Sequence, residues 1–161
     1  MSLVGFKARN HPQQRANPKV DDRATPPEVF DPLHARFAFT VDACASAHNA
    51  KLPRYWTPDD DGLAQPWAGE RVWCNPPYSD IEPWVVKACS VGNLTPLVVM
   101  LLPANRTEQG WWQRWIEPVR DRGERLTVEF LPGRLRFIAH DDDRIRPNAR
   151  PPYGCCLAVW S

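Results

Sequence analysis

The chain is short and almost neutral, with 161 residues, a net charge of +1, 43% hydrophobic residues and 24% charged residues. These values predict one soluble domain with a sizeable core, and the charge by itself gives no indication of a nucleic-acid partner. No apolar run approaches the roughly 20 residues that cross a bilayer, and residues 1–10 lack the apolar core of a signal peptide, so we expect a cytosolic protein.

The first predicted element is a helix that follows a polar arm. Residues 1–24 are rich in Pro, Gln and Arg without periodicity, which predicts a flexible N-terminal arm and a folded domain over residues 25–161. Thr25-Pro26-Pro27-Glu28 has the spacing of a capping box with prolines in the first turn. The apolar face of the helix then consists of Val29, Phe30, Leu33 and Phe37.

A strand over residues 37–44 is predicted next, and it ends in Asp42-Ala43-Cys44-Ala45. An acidic group beside small residues allows a ligand to approach the backbone, which favours a binding site at the carboxyl end of this strand. Asp42 has an alternative structural role as the cap of the following turn. Residues 46–70 are rich in Pro and Asp and predict a long ordered loop.

The most informative motif follows a short apolar strand over residues 71–74. In Asn75-Pro76-Pro77-Tyr78 the prolines fix the backbone, so that the Asn75 side-chain carbonyl, the Pro76 backbone carbonyl and the Tyr78 ring can converge on a planar amine. Two acceptors aimed at the amine hydrogens favour a pyramidal nitrogen whose lone pair points at an electrophilic methyl group. The motif indicates methylation of an exocyclic amine, and its structural alternative is a rigid turn that ends a strand.

Helices and strands alternate through the middle of the chain. Ser79 and Glu82 fit a capping box for a helix that ends at Gly92, which implies a parallel-sheet crossover. Residues 97–102 form the continuous apolar run of a central strand buried on both faces. Thr107 is expected to cap another helix, whose apolar stripe is more typical of core than of a base-stacking platform. That stripe consists of Trp111, Trp112, Trp115 and Ile116.

The C-terminal part of the chain is rich in strands. Residues 126–131 and 135–139 predict two strands about a tight turn at Pro132-Gly133, and residues 153–160 predict a final strand. The whole pattern favours an α/β fold of three layers, with a sheet that is parallel at its centre and antiparallel near the C-terminus. The frequent arginines of this region are mostly expected to be solvated surface charge.

The cysteines and histidines form no metal-binding or disulfide pattern. The five cysteines include no Cys-x-x-Cys pair, and the four histidines are scattered. Most of the cysteines stand in apolar runs, which is typical of small buried side chains. We therefore predict neither a metal site nor disulfides.

An ordered series of these motifs resembles the phage-type DNA N-6-adenine methyltransferase family, single-domain enzymes that use S-adenosylmethionine. The resemblance covers most of the chain and is stronger than any one motif. It is carried by Thr25-Pro26-Pro27-Glu28, Val41-Asp42-Ala43-Cys44-Ala45, Asp61-Gly62-Leu63, Val72-Trp73-Cys74-Asn75-Pro76-Pro77-Tyr78, Leu101-Leu102-Pro103, Pro132-Gly133-Arg134-Leu135-Arg136-Phe137 and Pro152-Tyr153-Gly154.

The resemblance implies a Rossmann-like methyltransferase fold in which Asn75-Pro76-Pro77-Tyr78 holds a flipped adenine. It also implies that Thr25, Pro26 and the turn Asp42-Ala43-Cys44-Ala45 line the cofactor site, with Asp60 or Asp61 as a further contact. Methyltransferases generally carry a Gly-rich turn after the first strand, and this chain departs from that pattern. The interval from Asp42 to Asn75 leaves little room for two strand-helix units, so we expect an abbreviated sheet.

A DNA substrate places further demands on the chain. The target adenine of a duplex must leave the base stack, because its amine is otherwise paired. The candidates for gripping the strand are Asn105, Arg106, Arg134 and Arg136. The resemblance thus implies a DNA partner and a cytosolic location in a bacterial or phage-infected cell.

Two alternatives stay open from the sequence. The same motif occurs in methyltransferases that act on other planar amines, of RNA guanine or of protein glutamine. The missing glycines leave a different class open, a catalytically idle DNA-binding module that kept the pocket and lost its affinity for the cofactor.

Overall fold

The computed structural model describes residues 21–139 and 153–161, and a five-stranded sheet organises them. The elements in chain order are β1 (Arg23–Ala24), α1 (Pro27–Phe37), β2 (Val41–Asp42), β3 (Arg71–Cys74), α2 (Glu82–Val91), a 3-10 turn (Gly92–Leu94), β4 (Leu97–Pro103), α3 (Gly110–Trp115), β5 (Leu126–Phe130), β6 (Ile138–Ala139) and β7 (Cys155–Trp160).

The sheet has the spatial order β2-β3-β4-β7-β5. Strands β2, β3 and β4 are parallel, with Val72 opposite Val41 on one side and Val98 on the other. The segment between β3 and β4 contains α2, as a parallel crossover requires. Strand β7 returns antiparallel between β4 and β5, which makes the sheet mixed. The predicted α/β class, with parallel strands in the centre and antiparallel strands near the C-terminus, is confirmed.

Strand β4 divides the core into two halves. All seven of its residues are buried, and successive side chains point to opposite faces of the sheet. On one face Leu101 belongs to a core cluster with Phe30 of α1. On the other face Met100 belongs to a cluster with Val85 of α2 and Trp112 of α3. Helices therefore cover both faces, which gives three layers.

The connection between β2 and β3 is a loop over residues 43–70, without a helix or strand of its own. One isolated parallel bridge joins Asp42 to Tyr55 at the outer edge of β2. Among the described residues the sheet has five strands, and β2 is at its edge with this single bridge beside it. A loop of this length inside a compact domain is usually functional.

Three predicted helix caps are wrong, because the residues bind elsewhere or lie too far from the helix. Within the described ranges no side-chain hydrogen bond caps α1, α2 or α3. The Thr25 hydroxyl accepts a hydrogen bond from Asn75, and the Ser79 hydroxyl donates one to Asp21. Thr107 lies before the first residue of α3 by almost a full turn.

Two predicted strands are wrong in their extent or partner. The strand expected over residues 37–44 is reduced to β2, because α1 extends to Phe37 and is followed by Ala38, which has a left-handed φ of 49°. The predicted hairpin does not form, since β5 pairs with β7 and β6 pairs with β1. Leu135 and Phe137 bury their side chains in the core beside α1, so this stretch follows the sheet face instead of extending the sheet.

The fold includes residues that the sequence assigns to the N-terminal arm. Arg23–Ala24 forms β1, and Asp21 and Asp22 bind side chains in other parts of the chain. We call residues 21–25 the N-terminal strap. It lies at the carboxyl edge of the parallel strands, beside the turns that follow β2 and β3.

Candidate active site

A cavity of about 780 Å³ opens at the carboxyl edge of β2 and β3. Its walls come from the turns after these strands, the loop over residues 43–70, the N-terminal strap and the start of α2. Ligands of α/β proteins bind outside the carboxyl ends of parallel strands, and this cavity occupies that place. Its volume lies in the range of small-molecule and cofactor sites.

The turn after β2 is organised by the carboxylate of Asp42, which is 2% exposed. Its Oδ2 accepts a hydrogen bond from the Lys51 backbone N–H at 3.0 Å, and its Oδ1 accepts one from the Cys44 N–H at 3.4 Å. Burial raises the pKa of Asp42 from 3.8 to about 7, although both N–H groups favour the charged form. Asp42 therefore holds the turn, as its structural alternative predicts, and also lines the cavity.

A glycine from the opposite wall fits against this turn. A Cβ placed on Gly62 would lie 2.1 Å from the carbonyl oxygen of Ala43, so a side chain is excluded there. The Trp67 indole N–H donates to the Gly62 carbonyl at 2.9 Å and fixes the loop in this position. Loop and turn thus approach backbone to backbone although the turn itself contains no glycine.

The cavity wall is acidic. Among the described residues it includes six aspartates against two cationic side chains, Arg23 and Lys51. Burial lowers the pKa of Lys51, while Asp42 and other acids oppose that shift. Such a wall favours a ligand with positive charge. The aspartates are Asp21, Asp22, Asp42, Asp59, Asp61 and Asp80.

Asn75 follows β3 and has its amide nitrogen held by the N-terminal strap. Its Nδ2 donates to the Arg23 carbonyl oxygen at 3.2 Å and to the Thr25 hydroxyl at 3.3 Å. The two N–H groups of the amide thus have two acceptors, while Oδ1 has no hydrogen-bond partner within residues 21–139 and 153–161. Because Asn75 lines the cavity, its free acceptor is available to a ligand.

The strap is tied to both turns by its two aspartates. The Asp21 carboxylate accepts hydrogen bonds from the Ser79 hydroxyl at 2.6 Å and the Ser79 N–H at 3.2 Å, just after the proline motif. The Asp22 carboxylate binds the Asn49 amide at 2.5 Å and the His48 ring at 2.9 Å, just after the β2 turn. These contacts fix the strap across the cavity.

Tyr78 is anchored at its hydroxyl group. The hydroxyl donates to the Leu101 carbonyl oxygen at 3.2 Å and lies 3.9 Å from the Cys155 sulfur. Burial raises the pKa of Tyr78 well above its usual value, so the phenol stays neutral. Its ring meets Phe137 edge to face, with 6.2 Å between ring centroids, and Tyr153 at a tilt, with 6.4 Å between them.

The predicted DNA-contacting residues lie outside the cavity. Nη1 of Arg106 donates to the backbone carbonyl oxygen of Tyr78 at 2.5 Å, and the neighbouring Asn105 is exposed. Arg134 is exposed, and Arg136 is half-buried with an Nε that has no partner among the described residues. Both arginines alternate with buried apolar residues, one of which is Phe137 against the Tyr78 ring.

The cavity collects most of the residues assigned from the sequence. Lining residues from that set are Thr25, Asp42, Ala43, Cys44, Ala45, Asp61, Asn75 and Pro77. Outside the lining are Pro26, Asp60, Pro76 and Tyr78. Pro26 starts α1 with its carbonyl, which accepts from two backbone N–H groups, and Asp60 accepts hydrogen bonds at 2.8 Å from both the N–H and the hydroxyl of Thr57.

Several lining residues escaped sequence reasoning. The strap aspartates fell in a segment read as an arm, and Trp84 stands at helical spacing with core residues. Lys51 and Asp59 belong to the long loop, where the sequence carries no periodic signal. Trp56 follows Tyr55, the residue that forms the isolated bridge with Asp42. The acidic run before Gly62 was the only sequence feature that indicated a contribution of this loop to the site.

Other chemistry finds little support in the described residues. Within residues 21–139 and 153–161, no group of three or more His, Cys, Asp or Glu side chains is arranged to hold a metal ion. In the same ranges no helix is long and apolar enough to span a membrane. Burial, followed by the charge of Asp42, raises the pKa of the Cys44 thiol, so the cavity contains a neutral thiol and no thiolate nucleophile.

The fold and the cavity define an α/β protein with a ligand site at the carboxyl edge of its sheet and a rigid hydrogen-bond-accepting motif in the wall. Comparison with known proteins identifies the family. The family model described as DNA N-6-adenine-methyltransferase (Dam) matches residues 13–157. The chain belongs to this family and is, accordingly, a DNA adenine methyltransferase, which confirms the resemblance inferred from the motifs.

Two phage proteins illustrate the relationship. The DNA N-6-adenine-methyltransferase of Haemophilus phage HP1 (strain HP1c1) is 39% identical over 133 residues, which cover 79% of this chain and 73% of the relative. The DNA N-6-adenine-methyltransferase of Escherichia phage T1 is 33% identical over 127 residues, which cover 72% of this chain and 53% of the relative. The chain therefore spans about half the length of the second protein.

Proposed function

We propose that the chain transfers a methyl group from S-adenosylmethionine to the 6-amino group of an adenine flipped out of DNA, with the cavity as the cofactor site. The observation that carries this proposal is the Asn75 amide, whose nitrogen is occupied and whose oxygen is left free at the wall of an acidic cavity. The family requires a methyl donor. S-adenosylmethionine is the donor that the resemblance implies, and the acidic lining of the cavity supports it.

The charge and the volume of the cavity support S-adenosylmethionine as the ligand. When bound, this cofactor supplies an electrophilic methyl group on a positively charged sulfur. The aspartates of the wall stabilise a cation there, and the buried Asp42 carboxylate gains most from a nearby positive charge because burial disfavours its ionised form. Gly62 keeps side-chain atoms out of the narrow gap beside Ala43. The turn thus works without the Gly-rich sequence of other methyltransferases.

Asn75 acts as an acceptor and an orienting group. Its Oδ1 accepts one hydrogen of the adenine amine, and the Pro76 carbonyl accepts the other, which favours a pyramidal nitrogen with its lone pair free to react. A neutral amide cannot take up a proton, so the proton leaves to water after transfer. Pro77 and Pro76 keep this geometry rigid, because proline restricts the backbone.

Tyr78 provides the stacking surface for the flipped base. The hydrogen bond to Leu101 and the edge contact with Phe137 hold the ring in one orientation. Stacking of a base on an aromatic ring is worth about 1 to 3 kcal/mol in proteins that bind single strands. Tyr78 does not line the cavity, so the base would lie beside the motif and outside the cofactor cavity, with its amine directed toward the Asn75 oxygen.

The same side of the motif carries the groups proposed to grip DNA. Arg106 and Asn105 follow β4, and Arg134 and Arg136 follow β5, so their side chains are close in the chain to the segments that hold Tyr78. Arginine suits phosphate oxygens because its guanidinium donates several hydrogen bonds in one plane. With DNA as its substrate, the protein would act in the cytosol of the cell.

Transfer of labelled methyl groups tests the proposal. Purified protein is incubated with S-adenosylmethionine labelled in its methyl group and with four substrates: adenine-containing DNA, the same DNA with N6-methyladenine, RNA and a glutamine-containing peptide. Incorporation into the first substrate alone is expected, and incorporation into RNA or peptide would favour another planar amine. Calorimetry with the cofactor addresses the idle module, which predicts neither heat of binding nor thermal stabilisation.

A further inference from the structure

We propose that Thr25 is a positioning residue for the reaction, which holds the Asn75 amide so that its oxygen, and not its nitrogen, meets the amine of the substrate. This role rests on the proposed function, and it differs from the cofactor contact that the family resemblance implies for Thr25.

The hydrogen-bond geometry supports this role. The two strap acceptors of the Asn75 nitrogen are the Arg23 carbonyl at 3.2 Å and the Thr25 hydroxyl at 3.3 Å. A carbonyl can only accept, so it selects the amide orientation with Nδ2 facing the strap. The Thr25 hydroxyl accepts a hydrogen bond from the same Asn75 nitrogen and thereby restricts rotation of the Asn75 side chain.

The strap itself is held in place, which makes it a suitable reference for the amide. Arg23–Ala24 pairs with Ile138–Ala139 in a short antiparallel ladder, and Asp21 holds Ser79 on the far side of the motif. Thr25 is 2% exposed, so its hydroxyl is shielded from competing water. The motif is therefore held at Asn75 and at Ser79 by one short segment, residues 21–25.

The inverted amide would be unproductive. An Asn75 side chain rotated by half a turn would place its NH2 group opposite the amine, where two sets of donors face each other. It would also place its oxygen against the Arg23 carbonyl, where two acceptors face each other. The Arg23 carbonyl disfavours this inverted state, and the Thr25 hydroxyl restrains the amide in the orientation that the carbonyl selects. Removal of the hydroxyl should therefore reduce the rate of the methyl-transfer step and leave cofactor binding intact.

Three variants separate this role from a structural one. Thr25→Val removes the hydroxyl at nearly constant volume, and Thr25→Ser retains it. Thr95→Val is the matched control, because Thr95 is also buried and its hydroxyl donates to the Trp67 carbonyl at 3.0 Å in a part of the fold that does not line the cavity. We expect Thr25→Val to lower kcat about fivefold, with the Kd for S-adenosylmethionine unchanged, and Thr25→Ser to restore kcat. Thr95→Val should lower the thermal midpoint and leave kcat unchanged.

A double-mutant cycle tests the route through Asn75. In an Asn75→Ala background Thr25→Val should have no further effect on kcat, because the group that it positions is gone. The side-chain amide signals of Asn75, assigned by their loss in Asn75→Ala, give a readout that needs no activity. In Thr25→Val these N–H groups should exchange with water faster, whereas Thr95→Val should leave them unchanged.

The outcomes keep the two proposals apart. An active wild-type protein whose Thr25→Val variant retains full kcat, loses activity equally in both backgrounds or loses it only through a weaker cofactor Kd would overturn the role of Thr25. Absence of methyl transfer to any DNA by the wild-type protein would instead overturn the proposed function.

Discussion

The turns after β2 and β3 stand side by side at one edge of the sheet, yet they are held in different ways. The β2 turn is held by its own neighbourhood, since Asp42 binds the backbone of Cys44 and Lys51 and the same loop brings Gly62 against it. The β3 turn is rigid through its prolines, and its position depends on distant segments, the strap and Arg106.

This difference agrees with the two proposed roles, cofactor binding at the β2 turn and orientation of the adenine amine at the β3 turn. The backbone of the β2 turn is held by its own contacts, and the strap reaches only the residues that follow it, through Asp22. In the proposed function the β3 turn instead has to orient the Asn75 amide oxygen. The position of this turn is set by the strap and by Arg106, which follows β4. Substitutions in the first turn should therefore change cofactor affinity, and substitutions around the second should change turnover.

The largest expected effect is that of Asn75→Ala, which removes the acceptor itself. We predict that kcat falls about 100-fold, by analogy with the loss of one preorganised hydrogen bond in other active sites. The Kd for S-adenosylmethionine should change less than about twofold, since the lost contact is to the amine. Single-turnover transfer and calorimetry measure the two quantities. Asn93→Ala, at an exposed asparagine in the 3-10 turn, should affect neither, and a collapse of cofactor affinity in Asn75→Ala would refute the role given to Asn75.

Gly62→Ala is the matching test of the β2 turn. The new Cβ would overlap the Ala43 carbonyl, so the loop and turn must separate. Overpacking of this kind costs about 2 kcal/mol. If all of this free energy is lost from cofactor binding, the cofactor binds about 30-fold more weakly. At saturating cofactor kcat should recover. Gly110→Ala is the control, because its Cβ would meet only the flexible Arg114 side chain at 3.2 Å. A lower kcat with unchanged affinity would contradict the assignment of this turn to cofactor binding.

The sequence predicts well what depends on neighbouring residues. The strand before Asn75 has its predicted bounds, and the apolar run over residues 97–102 is a central strand buried on both faces, because period and polarity are local properties. The motifs at the ends of β2 and β3 meet at one cavity, because carboxyl ends of parallel strands share an edge.

Contacts between distant residues were not predictable in this way. Ser79 and Thr25 occur in sequences typical of helix caps, and only their partners, Asp21 and Asn75, reveal that they join the strap to the proline motif. The predicted hairpin after β5 is wrong for a similar reason. Leu135 and Phe137 bury their side chains in the core, and this segment does not pair with β5. The need for glycine at position 62 arises from a carbonyl group in another turn.

The charge of Asp42 offers a smaller effect with a defined pH window. Its pKa in the folded protein is about 7, above the ordinary value of 3.8, so the folded state binds the proton more tightly than the unfolded state. Its contribution therefore lowers the free energy of unfolding as pH rises from about 4 to about 7. A cationic ligand favours the carboxylate, so cofactor affinity should rise about tenfold from pH 6 to pH 8.

Calorimetry across this range checks the prediction. Asp42→Asn should bind the cofactor more weakly and lose the tenfold rise. Asp59→Asn, which changes an exposed carboxylate of the same wall, should keep it. A wild-type affinity that is flat with pH would show that the Asp42 carboxylate does not interact with the cofactor's positive charge.

The smallest expected effect is at Arg106, which supports the β3 turn from outside. Arg106→Ala removes the hydrogen bond to the Tyr78 carbonyl and one cation near the proposed path of DNA. We predict a KM for DNA about fivefold higher, and a slope of log affinity against log salt that is smaller by about one if the guanidinium also binds a phosphate. Arg106→Lys should restore the salt slope, because the charge returns. It should recover only part of the change in KM, because lysine lacks the planar fork. Arg122→Ala, at an exposed arginine before β5, is the control. A fivefold loss of cofactor affinity in Arg106→Ala, with DNA binding unchanged, would remove the distinction between a self-supported binding turn and an externally supported catalytic turn.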